Sequence, residues 1–408
     1  MIALVLLTSQ VAAAPVALIE HPAPGATHIR VEIVAETGQL SDREWTAAQA
    51  LQSAITMGTT SFTRYQLLSY VTAAGDPIRV QLQADHLRIG FSVPANDLRL
   101  ATELADQLIR GALFPADETQ AEIDELPFHH GSAWREALLP FGTVTGKLTR
   151  ADVLAVYQKL FRPGNVTIAI GGAFGKGDGI SAFSQRFDTW KVERRNEHPR
   201  RIVPPPFLTR HSGSVATVAL EGPEFSPRAA VSVGAESVSV KFEEALLAAY
   251  MLGQGKGSTA FRVLREKNNW SYRQEAPLVP TATGLRPLIL FASDSEEGLS
   301  DIGEAAKKQL VEAVTAWTAE DRTRALNFAR SNAAYDLGIS PLYFAGERPL
   351  GESLDDQTFL NAYWHMKTGH LWNTAEMQHD METVSLERVK AVASDWISKA
   401  TVRVIPGR

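Results

Sequence analysis

Arg265 and Tyr272 stand seven positions apart in the stretch GQGKGSTAFRVLREKNNWSY, Gly253 to Tyr272. A guanidinium and a phenol both donate hydrogen bonds to oxygen. Arg265 falls near the end of the helical segment TAFRVLREK and Tyr272 opens the strand WSYRQEA. An equally simple reading pairs Arg265 with Glu266 or Glu275 and packs Tyr272 as a strand aromatic. Ahead of them lies a loop containing Gly253, Gly255, Lys256, Gly257 and Ser258. It is not a phosphate-binding loop of the G-x-x-x-x-G-K-[ST] type, because Gly257 follows Lys256. No strand–turn–helix with G-x-G-x-x-G opens a parallel sheet, which argues against a dinucleotide fold. Glycines allow positive φ and close backbone approach to a bound chain; a flexible helix-to-helix connection explains them equally well.

Metal chemistry has few residues to draw on. There is no cysteine, hence no disulfide, thiolate nucleophile or Cys-ligated metal. The ten histidines form no H-x-x-E-H, no H-E-x-x-H and no pair four apart. His129 and His130 follow Glu122 and Glu125 in AEIDELPFHHG, a pattern better suited to a solvated loop than to a metal site.

These residues need elements to position them. HIRVEIVA alternates as a strand, and SDREWTAAQALQSAITMG reads as a helix with Ser41 and Glu44 spaced as a capping box. FTRYQLLSYVTAAG is a second helix, PIRVQLQADHLRIGFSV two strands about a turn, and NDLRLATELADQLIRG a helix with Asn96 as N-cap. The second half repeats the order. AAVSVGAESVSV is a strand, FEEALLAAYML and TAFRVLREK are helices, WSYRQEA and PLILFAS are strands, and GLSDIGEAAKKQLVEAVTAW is a long helix. TRADVLAVYQKLFRPGNVTIAIGG and SLERVKAVASDWISKATVRVIPG each close a half with a helix, a strand and a glycine. The expected fold is therefore α+β: a duplicated unit of about 200 residues, each with a mixed, mostly antiparallel sheet and helices packed on it, the halves closing as a clamshell.

Composition sets the frame. Of 408 residues, 45% are hydrophobic and 21% charged, with a net charge of -6, so a large core forms and no basic footprint for nucleic acid appears. MIALVLLTSQVAAAPVA has an apolar run followed by small residues. It reads as a secretory signal over residues 1–13, which places the mature chain in the periplasm or outside the cell. No later run reaches the length of a membrane span. The charge-crowded, proline-rich segment 191–207 separates an N-terminal half, 14–190, from a C-terminal half, 208–408.

With these features the chain resembles the insulinase/pitrilysin family of zinc metallopeptidases, and within it the chains built from two related halves, processing-peptidase subunits and respiratory core proteins. The ending LTRADVLAVYQKLFRPGNVTIAIGG and the segment LREKNNWSY carry the resemblance, which extends over nearly the whole mature chain. Catalytic members carry H-x-x-E-H on the first helix, where two imidazoles grip zinc and a carboxylate takes a proton from its water. Registered on Gly58 and Thr59, this chain places Gln49, Gln52 and Ser53 there, a degenerate metal site. The resemblance implies that Arg265 and Tyr272 contact the substrate backbone beside the scissile bond and stabilise its oxyanion, and that the glycine-rich loop binds substrate. It thus implies a substrate-binding subunit without zinc or other cofactor of its own. Such a subunit works as a heterodimer with an H-x-x-E-H sister chain that holds the zinc, on an extended peptide. A structural scaffold like the respiratory core proteins is the alternative.

Overall fold

The computed structural model describes residues 16–38, 40–73, 77–83, 85–129, 146–188, 190, 229–234, 240–281, 284–293, 298–332 and 353–406. Residues 1–13 and 191–207 lie outside these. The architecture is α+β in two similar halves. The first sheet contains β1 (Ala17–Pro22), β2 (His28–Glu36), β3 (Arg79–Leu82), β4 (His86–Pro94) and β5 (Val166–Gly172), in the order β1-β5-β2-β4-β3. Its pairings are antiparallel except β1 with β5. The second contains β6 (Ala229–Gly234), β7 (Arg273–Glu275), β8 (Leu278–Thr281), β9 (Gly284–Ser293) and β10 (Thr401–Pro406). Its order is β10-β6-β9-β7, with β8 also paired to β9, all antiparallel.

Six described helices follow the first sheet's strands: α1 (Asp42–Ala54), α2 (Arg64–Ala73), α3 (Leu98–Arg110), α4 (Ala116–His129), α5 (Arg150–Leu160) and α6 (Asp178–Phe187). The second half contributes α7 (Phe242–Gly253), the π-wound α8 (Phe261–Lys267), α9 (Leu299–Thr315), α10 (Ala319–Asn332), α11 (Leu354–Thr368), α12 (Thr374–Thr383) and α13 (Leu386–Ser398). No described helix is long and apolar enough to cross a membrane.

Local chemistry sets the helix starts. Ser41 Oγ accepts the Glu44 N–H at 3.4 Å while Glu44 Oε2 accepts the Ser41 N–H at 2.8 Å, the reciprocal box read from the sequence. The N-cap of α3 is corrected by one residue. The Asp97 N–H bonds to Pro94 O at 3.0 Å, which takes Asn96 into a turn, and the Asp97 carboxylate accepts the Leu100 N–H at 2.9 Å.

The first sheet has two unlike faces. Ile29, Val31, Ile33, Leu87, Ile89, Phe91, Ile168 and Ile170 alternate onto one face and form a core with α1 and α3. The other face carries Arg30, Glu32 and Arg88, where Glu32 accepts from Arg30 Nε at 3.0 Å and from Arg88 Nε at 2.7 Å. That face is covered by α11, a helix of the second half. Asp355, Phe359, Tyr363 and Lys367 recur every four residues along α11 and so share one side of it. Asp355 lies 2.8 Å from His28 Nε2 and 3.4 Å from Arg30 Nη1. The Phe359 ring sits 3.8 Å from the Arg88 guanidinium carbon. Asp85, fully buried in the β3–β4 turn, accepts from Tyr363 Oη at 3.0 Å and Lys367 Nζ at 2.6 Å, and lies 2.7 Å from His86 Nδ1. Gly171 makes the close packing feasible, since a side chain there would overlap Thr358 Oγ1.

Candidate functional site

The glycine-rich loop is shaped by the fold around it. Helix α7 is buried on all sides and ends at Gly253, where a Cβ would overlap the backbone of Ala276. Gly255 has φ +74°, a conformation that favours glycine, and lies against the Phe328 ring. The Ser258 N–H closes a turn onto Gly255 O at 3.0 Å, and Gly257 packs on the Arg324 guanidinium. Thr259 Oγ1 donates to Met251 O at 3.1 Å and accepts from Trp317 Nε1 at 2.7 Å. Lys256 is exposed between the two glycines, with no ion pair among the described residues.

Beyond the loop, α8 carries Arg265, and the chain then doubles back on it. Asn269 takes φ 54°, a left-handed turn that Asn tolerates. The Asn268 amide donates to Val263 O at 2.7 Å, and the Trp270 N–H to Leu264 O at 2.7 Å. This reversal places the Tyr272 ring 3.5 Å from the Arg265 guanidinium carbon, within cation–π range. Arg265 Nη1 donates to Asn269 Oδ1 at 2.6 Å. Glu275 is engaged by Arg273 at 3.0 Å, and Arg265 has no carboxylate partner among the described residues. Tyr272 is 62% exposed. Its hydroxyl, and the Nε and Nη2 groups of Arg265, have no protein acceptor among the described residues. The two residues singled out from the sequence are therefore brought together.

Behind the loop, Arg262 and Arg324 converge on Asp321 Oδ1 at 3.1 and 3.0 Å. Burial opposes ionisation of Asp321, but the N–H and hydroxyl of Thr318 together with Arg262 outweigh it and hold the carboxyl below its ordinary value. This cluster was not found from the sequence. Its one signal was Thr318 three residues before Asp321, the spacing of a helix cap.

Helix α1 packs on α4, α5 and β3, whereas α8 packs on α9. On α1, Gln49 and Gln52 are half-buried and Ser53 is exposed. Gln52 Oε1 accepts the Leu82 N–H at 2.9 Å, which ties this side chain to the first sheet, and the buried Gln49 Nε2 is a hydrogen-bond donor without an acceptor among the described residues. Two amides and a hydroxyl, with no imidazole or carboxylate, do not fit a zinc ion. Among the described residues no group of three His, Asp or Glu is arranged to hold a metal. Glu122 and Glu125 lie on α4, and His130 lies outside the described residues.

Residues 147–328, from the cap of α5 into α10, match the Peptidase M16 inactive domain. That span contains the loop, Arg265 and Tyr272. Three solved structures share the fold over almost the full length. A protease from Helicobacter pylori matches with TM-score 0.70 and 14% identity over 97% of this chain and 98% of that one. A peptidase M16 inactive domain from Pseudomonas fluorescens gives 0.67 and 14%, over 96% and 95%. A conserved protein from Enterococcus faecalis gives 0.63 and 13%, over 96% of each. No curated protein matches the chain. The match to the Peptidase M16 inactive domain thus covers residues 147–328, while the fold of the three solved structures extends over nearly the whole chain.

Proposed function

We propose that this chain is the substrate-binding, non-zinc subunit of a two-chain insulinase/pitrilysin-type peptidase, exported from the cytoplasm, and that it lends Arg265 and Tyr272 to the zinc site of a sister chain. The observation that carries this reading is the stacked pair itself. Two oxygen-seeking side chains are held together, the Arg265 guanidinium carbon 3.5 Å from the Tyr272 ring, with donors that have no protein acceptor among the described residues, in a chain whose α1 does not fit zinc. Preorganised donors of this kind stabilise an oxyanion without reorganising during the reaction. Their rigidity has a source, since Asn269 fixes Arg265 from one side and the Tyr272 ring supports its face. The zinc and the general base belong to the sister chain. Here the extended peptide is held by its backbone, with a carbonyl oxygen taken by Arg265 and Tyr272.

The test is reconstitution. The purified chain should cleave no peptide alone, and adding a related chain that carries H-x-x-E-H should give cleavage that neither shows separately. Chelator-sensitive cleavage by the isolated chain would rule the reading out. A stable complex without cleavage on any peptide would favour the scaffold.

A further inference from the structure

The segment that forms the site is charged against the trend of the chain. From Gly253 to Glu275 there are five cations, Lys256, Arg262, Arg265, Lys267 and Arg273, and two carboxylates, Glu266 and Glu275, a net +3 in a chain of net charge -6. Among the described residues only Arg273 has a carboxylate to itself, Glu275. Arg262 and Arg324 divide one, Asp321, and both side chains are more than 40% exposed. Lys256 and Lys267 are exposed without an ion pair among the described residues. The excess positive charge is carried by the loop and by α8, and Gly257 of the loop rests on Arg324 of α10.

We infer that this segment selects peptides by a side-chain carboxylate. Lys256 and the Arg262–Arg324 pair are the specificity residues, and Arg265 and Tyr272 hold the backbone of the same peptide. A guanidinium fork suits a carboxylate bidentately, while a lysine supplies a point charge on a flexible stem, so the two together accept Asp or Glu without demanding one geometry. The chain's net charge of -6 disfavours non-specific binding of an acidic peptide. The inference rests on the substrate-binding reading and adds the class of peptide to it.

Binding by the isolated full chain separates the two. Three acetylated, amidated, dye-labelled peptides of equal length, differing only in two central residues (Glu, Gln or Lys), are titrated and followed by fluorescence anisotropy. At low salt the Glu peptide should bind about fivefold tighter than the Gln peptide and the Lys peptide weakest, as expected for an exposed charge pair. The spread should close when salt is raised well above ~0.1 M, where charges are screened within about 10 Å. Lys256→Glu should invert the order of the Glu and Lys peptides, and Arg324→Gln should narrow it. Equal affinity for the Glu and Gln peptides, or a preference that survives both substitutions, overturns the inference and leaves the substrate-binding reading standing. If none of the three peptides binds, the substrate-binding reading fails and the inference fails with it.

Discussion

Lys367 Nζ lies 2.6 Å from Asp85 Oδ2, joining a helix of the second half to a turn of the first across a contact where the aspartate is fully buried. Burial alone would push the Asp85 proton on, but Lys367 and His86 outweigh it and hold the carboxyl below its ordinary range. A carboxyl depressed in the folded state stabilises the fold above its unfolded pKa, about 3.9, and loses that contribution as pH falls through the folded value. Lys367→Met should therefore cost on the order of 3 kcal/mol at neutral pH, because it strands a buried charge. The penalty should shrink below about pH 4. Urea unfolding of both proteins from acid to neutral pH measures this, and identical midpoints at neutral pH would refute the coupling.

Arg265 and Tyr272 should separate chemistry from stability. In the reconstituted pair, Tyr272→Phe removes a donor and keeps the ring, so turnover should drop on the order of 100-fold while the melting temperature stays put. Arg265→Ala should lower turnover at least as far and cost about 0.5–1 kcal/mol through the lost stacking. Wild-type turnover from both variants would return the segment to plain architecture.

The loop glycines should rank by what their neighbours allow. Gly253→Ala forces a methyl into the Ala276 backbone and should destabilise by about 1–3 kcal/mol. Gly255→Ala meets only the edge of Phe328, so its cost is the left-handed backbone, about 1 kcal/mol. Thermal melts give the order directly, and a Gly255→Ala variant less stable than Gly253→Ala would contradict it.

Metal analysis checks the reading of α1. Equilibrated with zinc and desalted, the chain should retain well under an equivalent. A full equivalent, lost on changing Gln49 and Ser53 to Ala, would show that these residues bind metal after all.

Much of the frame was legible in the sequence for identifiable reasons. Ser41 and Glu44 mark the start of α1 because a capping box is a local hydrogen-bond pattern. HIRVEIVA declares a strand because its apolar residues alternate. The same alternation cannot say what lies against its polar face. Arg30 and Glu32 look like a solvated surface and are buried, because their charges close on one another and on Arg88 beneath a helix more than 300 residues away. That helix escapes a search for hydrophobic periodicity because its seam, Asp355, Phe359, Tyr363 and Lys367, mixes charges with rings. The reversal at Asn269 that brings Tyr272 onto Arg265 is likewise absent from any periodic signal. It depends on side-chain amides bonding to specific carbonyls, which only the folded geometry discloses.

The crossing of α11 onto the first sheet also decides how the chain can be divided. A protease cutting between the halves would release nothing, because the second fragment would still hold the first by its sheet. Expressed as separate fragments, the halves should behave as complementing pieces, each poorly behaved alone and recovering only when mixed. A gene fusion or permutation that respects the apparent midpoint but moves 354–368 away from its partner would break the protein at a place where no bond was cut.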